Sequence, residues 1–217
     1  MTRVFADRRQ AGRLLAEALL MLDLADPVVL ALPRGGVPVG LEVAKLLRAP
    51  LDVLIVRKIG APGHEEYGIG AVVDGASPQI VIDQPAAEAV GASAEYIDRQ
   101  VARQLAEIER RRSLYRTGPP VAVAGRTVIV VDDGIATGVT ARAALQALGK
   151  AGAAAVILAI PVAPDDALPG LRALCDQVVC LATPDPFYAV GAHYADFTQT
   201  TDAEVVEALG AAGVPMR

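Results

Sequence analysis

The chain has 217 residues, of which 53% are hydrophobic, and a formal net charge of −5 at pH 7. This length suits one sizeable domain or two small ones, and the apolar share is ample for a large core. The mild acidity argues against tight binding to a nucleic-acid backbone, and charges or prolines interrupt every apolar run before the ~18 residues that a membrane helix needs.

The N-terminal segment and the cysteines bear on where the protein works. MTRVFADRRQ lacks the apolar stretch of a signal peptide. Cys175 and Cys180 are too few for a disulfide framework, and no histidine or third cysteine stands at metal-ligand spacing. We therefore expect a cytoplasmic protein without a membrane partner.

Short apolar runs alternate with helical patterns along the chain. Asp7 is a candidate N-cap for a first helix, in which apolar residues recur at helical spacing up to Leu22. The predicted strands are residues 28–32, 51–56, 69–73, 80–82, 128–131, 155–160 and 178–181. Further helices are predicted at 37–47 and 141–148. Such alternation favours a single α/β domain, with a parallel twisted sheet flanked by helices on both faces.

A helical insertion, residues 85–117, exceeds a minimal α/β unit. Apolar residues from Val90 to Ile108 fall on one face of a long helix over 86–116. Its arginines could bind a phosphate, although a solvated face beside the helix's own glutamates is the simpler interpretation. These arginines are Arg110, Arg111, Arg112 and Arg116.

The segment VIVVDDGIATGVT, residues 128–140, carries the strongest chemical signal. A strand that stops at Asp132 and Asp133 puts both carboxylates at the carboxyl edge of the sheet, where open α/β sheets bind ligands. The small residues after them let backbone N–H groups approach an anion, and the next helix begins near Thr140 with its partial positive charge. The acids must then face sugar hydroxyls or Mg²⁺. A ribose 5-phosphate provides both a phosphate for the loop and hydroxyls for the acids.

This segment resembles the phosphoribosyl-pyrophosphate signature of the type I phosphoribosyltransferases: four hydrophobic residues, two acids, a small-residue loop and a closing threonine. The resemblance implies that fold, with a small hood over the acceptor. It implies that the loop holds the 5-phosphate, whereas Asp132 and Asp133 hold the ribose hydroxyls and contact Mg²⁺ through water. The implied phosphate-binding residues are Gly134, Ala136, Thr137, Gly138, Val139 and Thr140.

Two further segments extend the resemblance. Leu32-Pro33-Arg34-Gly35-Gly36 stands where relatives bind pyrophosphate, and a cis peptide bond would fall at Arg34–Gly35. Arg57 and Lys58 are predicted to end the next strand at the same edge. Because successive strand residues point to opposite faces, one of them contacts the pyrophosphate, and Lys58 is the preferred candidate.

The segment GAPGHEEYGIG, residues 60–70, resembles the mobile loop that closes over the substrate in this family. It contains four residues that could assist proton transfer, although a solvated loop could carry the same side chains. They are His64, Glu65, Glu66 and Tyr67.

Residues 183–200 resemble the hood of the purine-type members. Phe187 or Tyr188 could stack on a flat acceptor, and Asp196 could help to position it. The spacing from Gly191 to Asp196 is one residue longer than the family pattern.

The resemblance implies a phosphoribosyltransferase that moves ribose 5-phosphate from phosphoribosyl pyrophosphate to a nitrogen acceptor, most often a nucleobase, with Mg²⁺. We expect a homodimer, for which the helical insertion could build the contact face. The insertion leaves the acceptor open. Two other classes of protein are weighed against this one. A non-catalytic sensor of phosphoribosyl pyrophosphate or nucleotides could keep the same site. A phosphatase with Asp132 as nucleophile fits less well, because such sites usually separate the two acids by one residue.

Overall fold

A computed structural model describes residues 5–75, 78–115 and 118–212, apart from the side chain of Glu66. The strands are β1 (Pro27–Ala31), β2 (Leu51–Val53), β3 (Val56–Ala61), β4 (His64–Val73), β5 (Gln79–Ile82), β6 (Thr127–Val131), β7 (Ala155–Val162) and β8 (Gln177–Ala182). The α-helices are α1 (Arg8–Leu19), α2 (Gly36–Leu47), α3 (Gln84–Ala89), α4 (Ala94–Tyr115), α5 (Val139–Lys150), α6 (Leu168–Arg172) and α7 (Asp202–Ala211). Short 3-10 helices form at Asp165–Ala167 and Val190–His193.

The central sheet has five parallel strands in the order β2-β1-β6-β7-β8, which confirms the predicted fold class. Side chains alternate across it, so that Val29 and Ile129 pack with α1, α2 and α7 on one face. Val28 and Val130 pack with α5 and α6 on the other. Asp7 caps α1 as predicted, because its side chain accepts a hydrogen bond from the backbone N–H of Gln10. None of the helices in the described residues is long and apolar enough to cross a lipid bilayer.

β3, β4 and β5 form a second, antiparallel sheet, which lies outside the predicted hood segment 183–200. The prediction of one strand over 51–56 is wrong, because the chain changes partners there. The N–H of Leu54 still donates to the carbonyl of Ala31 in β1, whereas the carbonyl of Ile55 accepts from Asp74. Arg57 and Lys58 therefore lie inside β3 rather than at the end of a strand in the parallel sheet.

The segment 60–70 forms a hairpin of β3 and β4 rather than an open loop. The chain reverses at Gly63, whose φ of 72° is a left-handed angle that glycine adopts readily. A Cβ at Gly60 would lie 2.5 Å from the carbonyl oxygen of Glu65, so the two strands approach closely at this point. Closure of this hairpin over a substrate stays a prediction.

The insertion contains two helices, so the prediction of one long helix over 86–116 is wrong. The first, α3, ends at Ala89, and Gly91 has a left-handed φ of 65° before α4 starts. The second, α4, buries Ile108 and Tyr115 in the core shared with β3, β4 and α7. Arg116 lies outside the described residues.

The α4 arginines that the structure describes have carboxylate partners. Glu107 accepts hydrogen bonds from Arg110 and Arg111, both at 2.8 Å. Arg112 pairs with Asp74 and with Glu109. The interpretation of a charged, solvated face therefore fits Arg110, which is exposed, whereas Arg111 and Arg112 are partly buried and Arg112 contacts the buried Asp74.

Replacing Glu107 with glutamine is expected to lower stability slightly, and only above strongly acidic pH. Hydrogen bonds from Arg110 and then Arg111 lower the pKa of Glu107 to about 2, below its unfolded value of about 4.3. The carboxylate therefore stabilises the fold above pH ~4.3, and this contribution is lost as the pH falls through about 2. Solvent screening limits the effect to at most about 1 kcal/mol.

Urea unfolding of Glu107→Gln and wild type at pH ~6 and pH ~2.5 would measure this, with the exposed Glu88→Gln as the control. A stability difference that is larger at the acidic pH would contradict the prediction.

Candidate active site

The acidic pair stands where the sequence places it, directly after β6 at the carboxyl edge of the central sheet. The backbone N–H of Asp133 donates to Oδ1 of Asp132 at 2.9 Å. Burial, and then the neighbouring charge of Asp133, raise the pKa of Asp132 well above its ordinary value. Burial also raises the pKa of Asp133, but a hydrogen bond from Arg8 opposes that effect.

The predicted phosphate loop leads from the acids into α5. Gly138 is the N-cap of α5 with a left-handed φ of 75°, and no side chain caps the helix. The first N–H groups of α5 consequently lack intrahelical partners and side-chain acceptors. Ala136 and Thr137 in the loop, and Val139 and Thr140 at the helix start, are exposed. An anion could reach these amides from solvent.

The segment Leu32–Gly36 joins β1 to α2 and packs directly on the end of β6. The N–H of Leu32 donates to the carbonyl of Val131 at 2.8 Å. A Cβ at Gly35 would lie 2.1 Å from Oδ2 of Asp133, and a Cβ at Gly36 would lie 2.6 Å from the carbonyl oxygen of Val131. Only glycine permits this approach, which joins the predicted pyrophosphate loop to the acidic pair.

The cis peptide bond of this loop is Pro33–Arg34, so its prediction at Arg34–Gly35 is wrong. Gly35 already has helical angles, φ −60° and ψ −35°, as the N-cap of α2, and the turn is complete before it. Nη1 of Arg34 lies 3.8 Å from Oδ1 of Asp202 at the start of α7. The same carboxylate oxygen accepts a hydrogen bond from Tyr115 at the end of α4.

Arg57 and Lys58 face opposite sides of β3, as the alternation of strand side chains requires. A Cβ at Gly68 would lie 3.1 Å from Cδ of Lys58 and 3.8 Å from Cγ1 of Val139. The stem of Lys58 therefore runs towards the start of α5 and the phosphate loop. Nε of Arg57 donates to Oε1 of Gln104 in α4 at 3.2 Å. This placement agrees with the choice of Lys58, whose contact with pyrophosphate stays a prediction.

Arg8 belongs to the site, and sequence reasoning missed it. Its Nε donates to Oδ2 of Asp133 at 2.8 Å, and its Nη1 donates to the carbonyl of Thr198 at 2.7 Å. Its guanidinium lies 3.9 Å from the ring centroid of Phe197, and only 10% of the side chain is exposed. The hydroxyl of Tyr194 also donates to the carbonyl of Asp133. The N-terminal helix and the segment 194–198 thus hold Asp133 in place.

The predicted hood segment 183–200 touches the phosphate loop. A Cβ at Gly134 would lie 2.5 Å from Cγ1 of Val190. Phe187 stacks on His193 with ring centroids 5.2 Å apart, whereas Tyr188 is 84% exposed. Asp196 accepts two hydrogen bonds from Thr198, which lower its pKa.

These contacts leave the acceptor roles of Phe187, Tyr188 and Asp196 as predictions. Of the candidates for proton transfer, His64, Glu65 and Tyr67 are exposed on the hairpin. Glu65 lies 3.7 Å from Arg103. The side chain of Glu66 lies outside the described part of the chain.

Mg²⁺ would have few protein ligands at this site. Within the described residues, no three histidine, cysteine or acidic side chains group closely enough to hold a metal. Mg²⁺ commonly uses one or two carboxylates together with waters and substrate phosphates. Asp132 and Asp133 at the sheet edge fit that donor set.

Comparison with known proteins places this chain in a family. A family model of the phosphoribosyl transferase domain matches residues 6–195. The chain is 47% identical over 208 residues to "Putative phosphoribosyl transferase MT0597" and "Putative phosphoribosyl transferase Rv0571c", both from Mycobacterium tuberculosis. That alignment covers 95% of this chain and 46% of each relative, so the chain spans about half of their length. The crystal structure of TT1426 from Thermus thermophilus is 45% identical, with a TM-score of 0.82 and coverage of 95% of this chain and 97% of that one. The chain therefore belongs to the phosphoribosyl transferase family and has its type I fold.

Proposed function

We propose that this domain transfers the 5-phosphoribosyl group from phosphoribosyl pyrophosphate to a nitrogen acceptor and releases pyrophosphate. The observation that carries the proposal is the open N-terminus of α5 beside the acidic pair. The loop and helix start at 136–140, which are exposed apart from the buried Gly138, offer backbone donors to the 5-phosphate. Carboxylates stand next to this anion site, where they suit the hydroxyls of the same sugar rather than its phosphate.

The other half of the substrate, the pyrophosphate, is assigned to two cations and a glycine loop. Gly35 and Gly36 start α2, which also lacks a side-chain cap, so its first amides can bind phosphoryl oxygens. Arg34 offers a guanidinium fork at the same loop, and Lys58 approaches from β3. Because Arg8 already occupies Oδ2 of Asp133, we assign the ribose hydroxyls to Asp132 and to the other oxygen of Asp133.

These assignments give the residues their parts in the reaction. As the bond from C1 of the sugar to pyrophosphate breaks, positive charge develops on the ring and negative charge on the leaving group. Arg34, Lys58 and the amides at Gly35 and Gly36 stabilise the departing charge, and the carboxylates hold the ring. Mg²⁺, held through water by Asp132 and Asp133, would neutralise charge on the pyrophosphate when it is bound.

The acceptor proposed is a nucleobase nitrogen, with Phe187 or Tyr188 against the ring and Asp196 towards its edge. The aromatic side chains suit a flat acceptor, and the contact of Val190 with Gly134 puts their segment beside the sugar site. We propose a cytoplasmic enzyme that works as a homodimer without a nucleic-acid partner.

A panel of nucleobases with Mg²⁺ and phosphoribosyl pyrophosphate tests the proposal. The expected result is pyrophosphate release that depends on one of the bases, together with formation of its ribonucleotide. Saturable binding of phosphoribosyl pyrophosphate without turnover would instead identify a sensor. Acceptor-independent release of orthophosphate would identify a phosphatase, and either result would overturn the transferase.

A further inference from the structure

A cavity of 340 Å³ lies between the antiparallel sheet and the inserted helix α4. Its walls combine one residue of β3 with one face of α4, where three arginines and two polar side chains meet. The lining residues are Arg57, Arg103, Gln104, Ala106, Glu107 and Arg110. The volume is at the lower end of the range of small-molecule sites.

Arg57 is the unusual member of this lining. It is half-buried, and among the described residues its hydrogen-bond partner is the neutral amide of Gln104. Burial, and then the neighbouring positive charge of Arg111, lower the pKa of Arg57. Glu107 opposes this shift, but its carboxylate is already hydrogen-bonded to Arg110 and Arg111. Removing a cation from water is costly without a closely paired opposite charge. An anion in the cavity would provide that partner.

The charges around the cavity are unbalanced. Glu107 is shared between Arg110 and Arg111, and Glu65 lies 3.7 Å from the exposed Arg103. Within the lining itself, three arginines stand against the single carboxylate of Glu107, an excess of two positive charges. Asp202, at the start of α7, already contacts Arg34 and Tyr115.

We propose that this cavity binds the phosphate group of a small phosphomonoester. Such a group carries a charge of about −1.5 to −2 at neutral pH, which matches the excess. Guanidinium groups bind its oxygens through paired N–H donors. The site is separate from the phosphate loop, because Arg57 points to the opposite face of β3 from Lys58. It goes beyond the proposed transfer reaction and does not depend on it.

Titration calorimetry with inorganic phosphate tests this site, in 0.15 M NaCl without divalent cations so that general attraction to surface arginines is screened. Arg57→Gln and Arg103→Gln are each expected to weaken phosphate binding at the cavity about tenfold, since each removes a charged hydrogen-bond donor. Arg99→Gln is the matched control, an exposed arginine of the same helix outside the cavity. It should bind phosphate like the wild type.

Equal phosphate binding by all four proteins would overturn the proposal. Because Arg57 is half-buried, circular dichroism should first establish that Arg57→Gln is folded. If it is not, Arg103→Gln decides the question, because 67% of that side chain is exposed and its loss leaves the core intact. Weaker binding in Arg103→Gln with wild-type binding in Arg99→Gln supports the site.

Discussion

Asp132→Asn is expected to reduce phosphoribosyl transfer by about a hundredfold or more while leaving the fold intact. The amide keeps the shape of the side chain but removes the negative charge that faces the developing cation of the ribose ring. Losing one such preorganised electrostatic contact typically has an effect of this size. Pyrophosphate release under saturating substrate is the measurement.

Measuring the stability of Asp132→Asn distinguishes a loss of catalysis from a folding defect. Burial, and then Asp133, raise the pKa of Asp132 in the folded protein above its value in the unfolded chain. Ionisation of Asp132 therefore lowers the free energy of unfolding as the pH rises. The asparagine lacks that ionisation, so the free energy of unfolding at neutral pH should not fall. Asp98→Asn, on the exposed face of α4, is the matched control. Wild-type turnover in Asp132→Asn would refute the assignment of the acidic pair.

Arg8→Met is expected to lower the free energy of unfolding by about 3 kcal/mol, because it leaves Asp133 without its ion-pair partner. Both side chains are mostly withdrawn from water, at 10% and 14% exposure. Methionine keeps an apolar stem against Phe197 but cannot donate to Asp133 or Thr198. Turnover should fall as well, since Asp133 loses the contact that orients it. Urea unfolding and pyrophosphate release measure the two effects.

Two further variants test whether the ion pair with Asp133 causes the loss of stability. Arg8→Lys should recover part of the stability, because a single ammonium can reach Asp133 but cannot also hold Thr198 in the same fork geometry. Arg9→Met is the neighbouring control, since 62% of Arg9 is exposed and it lies 4.0 Å from Glu42. If Arg8→Met unfolds at the same urea concentration as Arg9→Met, the ion pair with Asp133 contributes nothing measurable.

Local patterns predicted much of the fold. The strands of the parallel sheet are continuous apolar runs because helices cover both of its faces, as Val29 and Val130 illustrate. The start of α1 follows from the capping geometry of Asp7. The acidic pair and the small-residue loop lie together in one short stretch, so their adjacency was already present in the sequence.

The sequence predictions were wrong or incomplete where residues far apart in the chain determine the structure. Whether residues 51–56 form one strand depends on Ala31 and Asp74, which bond to the neighbouring residues Leu54 and Ile55 from different sheets. Arg8 is 125 residues from Asp133, and no local periodicity connects them. Gly91, inside the segment predicted as one helix, was a local signal that the insertion would break.

The strand order has a consequence for how the protein is made. Pro27 in β1 pairs with Thr127 in β6, and β6 separates β1 from β7. During synthesis, which proceeds from the N-terminus, β1 emerges about a hundred residues before β6, the strand that completes its hydrogen bonding. The side of β1 that pairs with β6 therefore stays without its hydrogen-bond partner until β6 has been synthesised. A chaperone bound at the ribosome would shield this exposed strand edge during that interval.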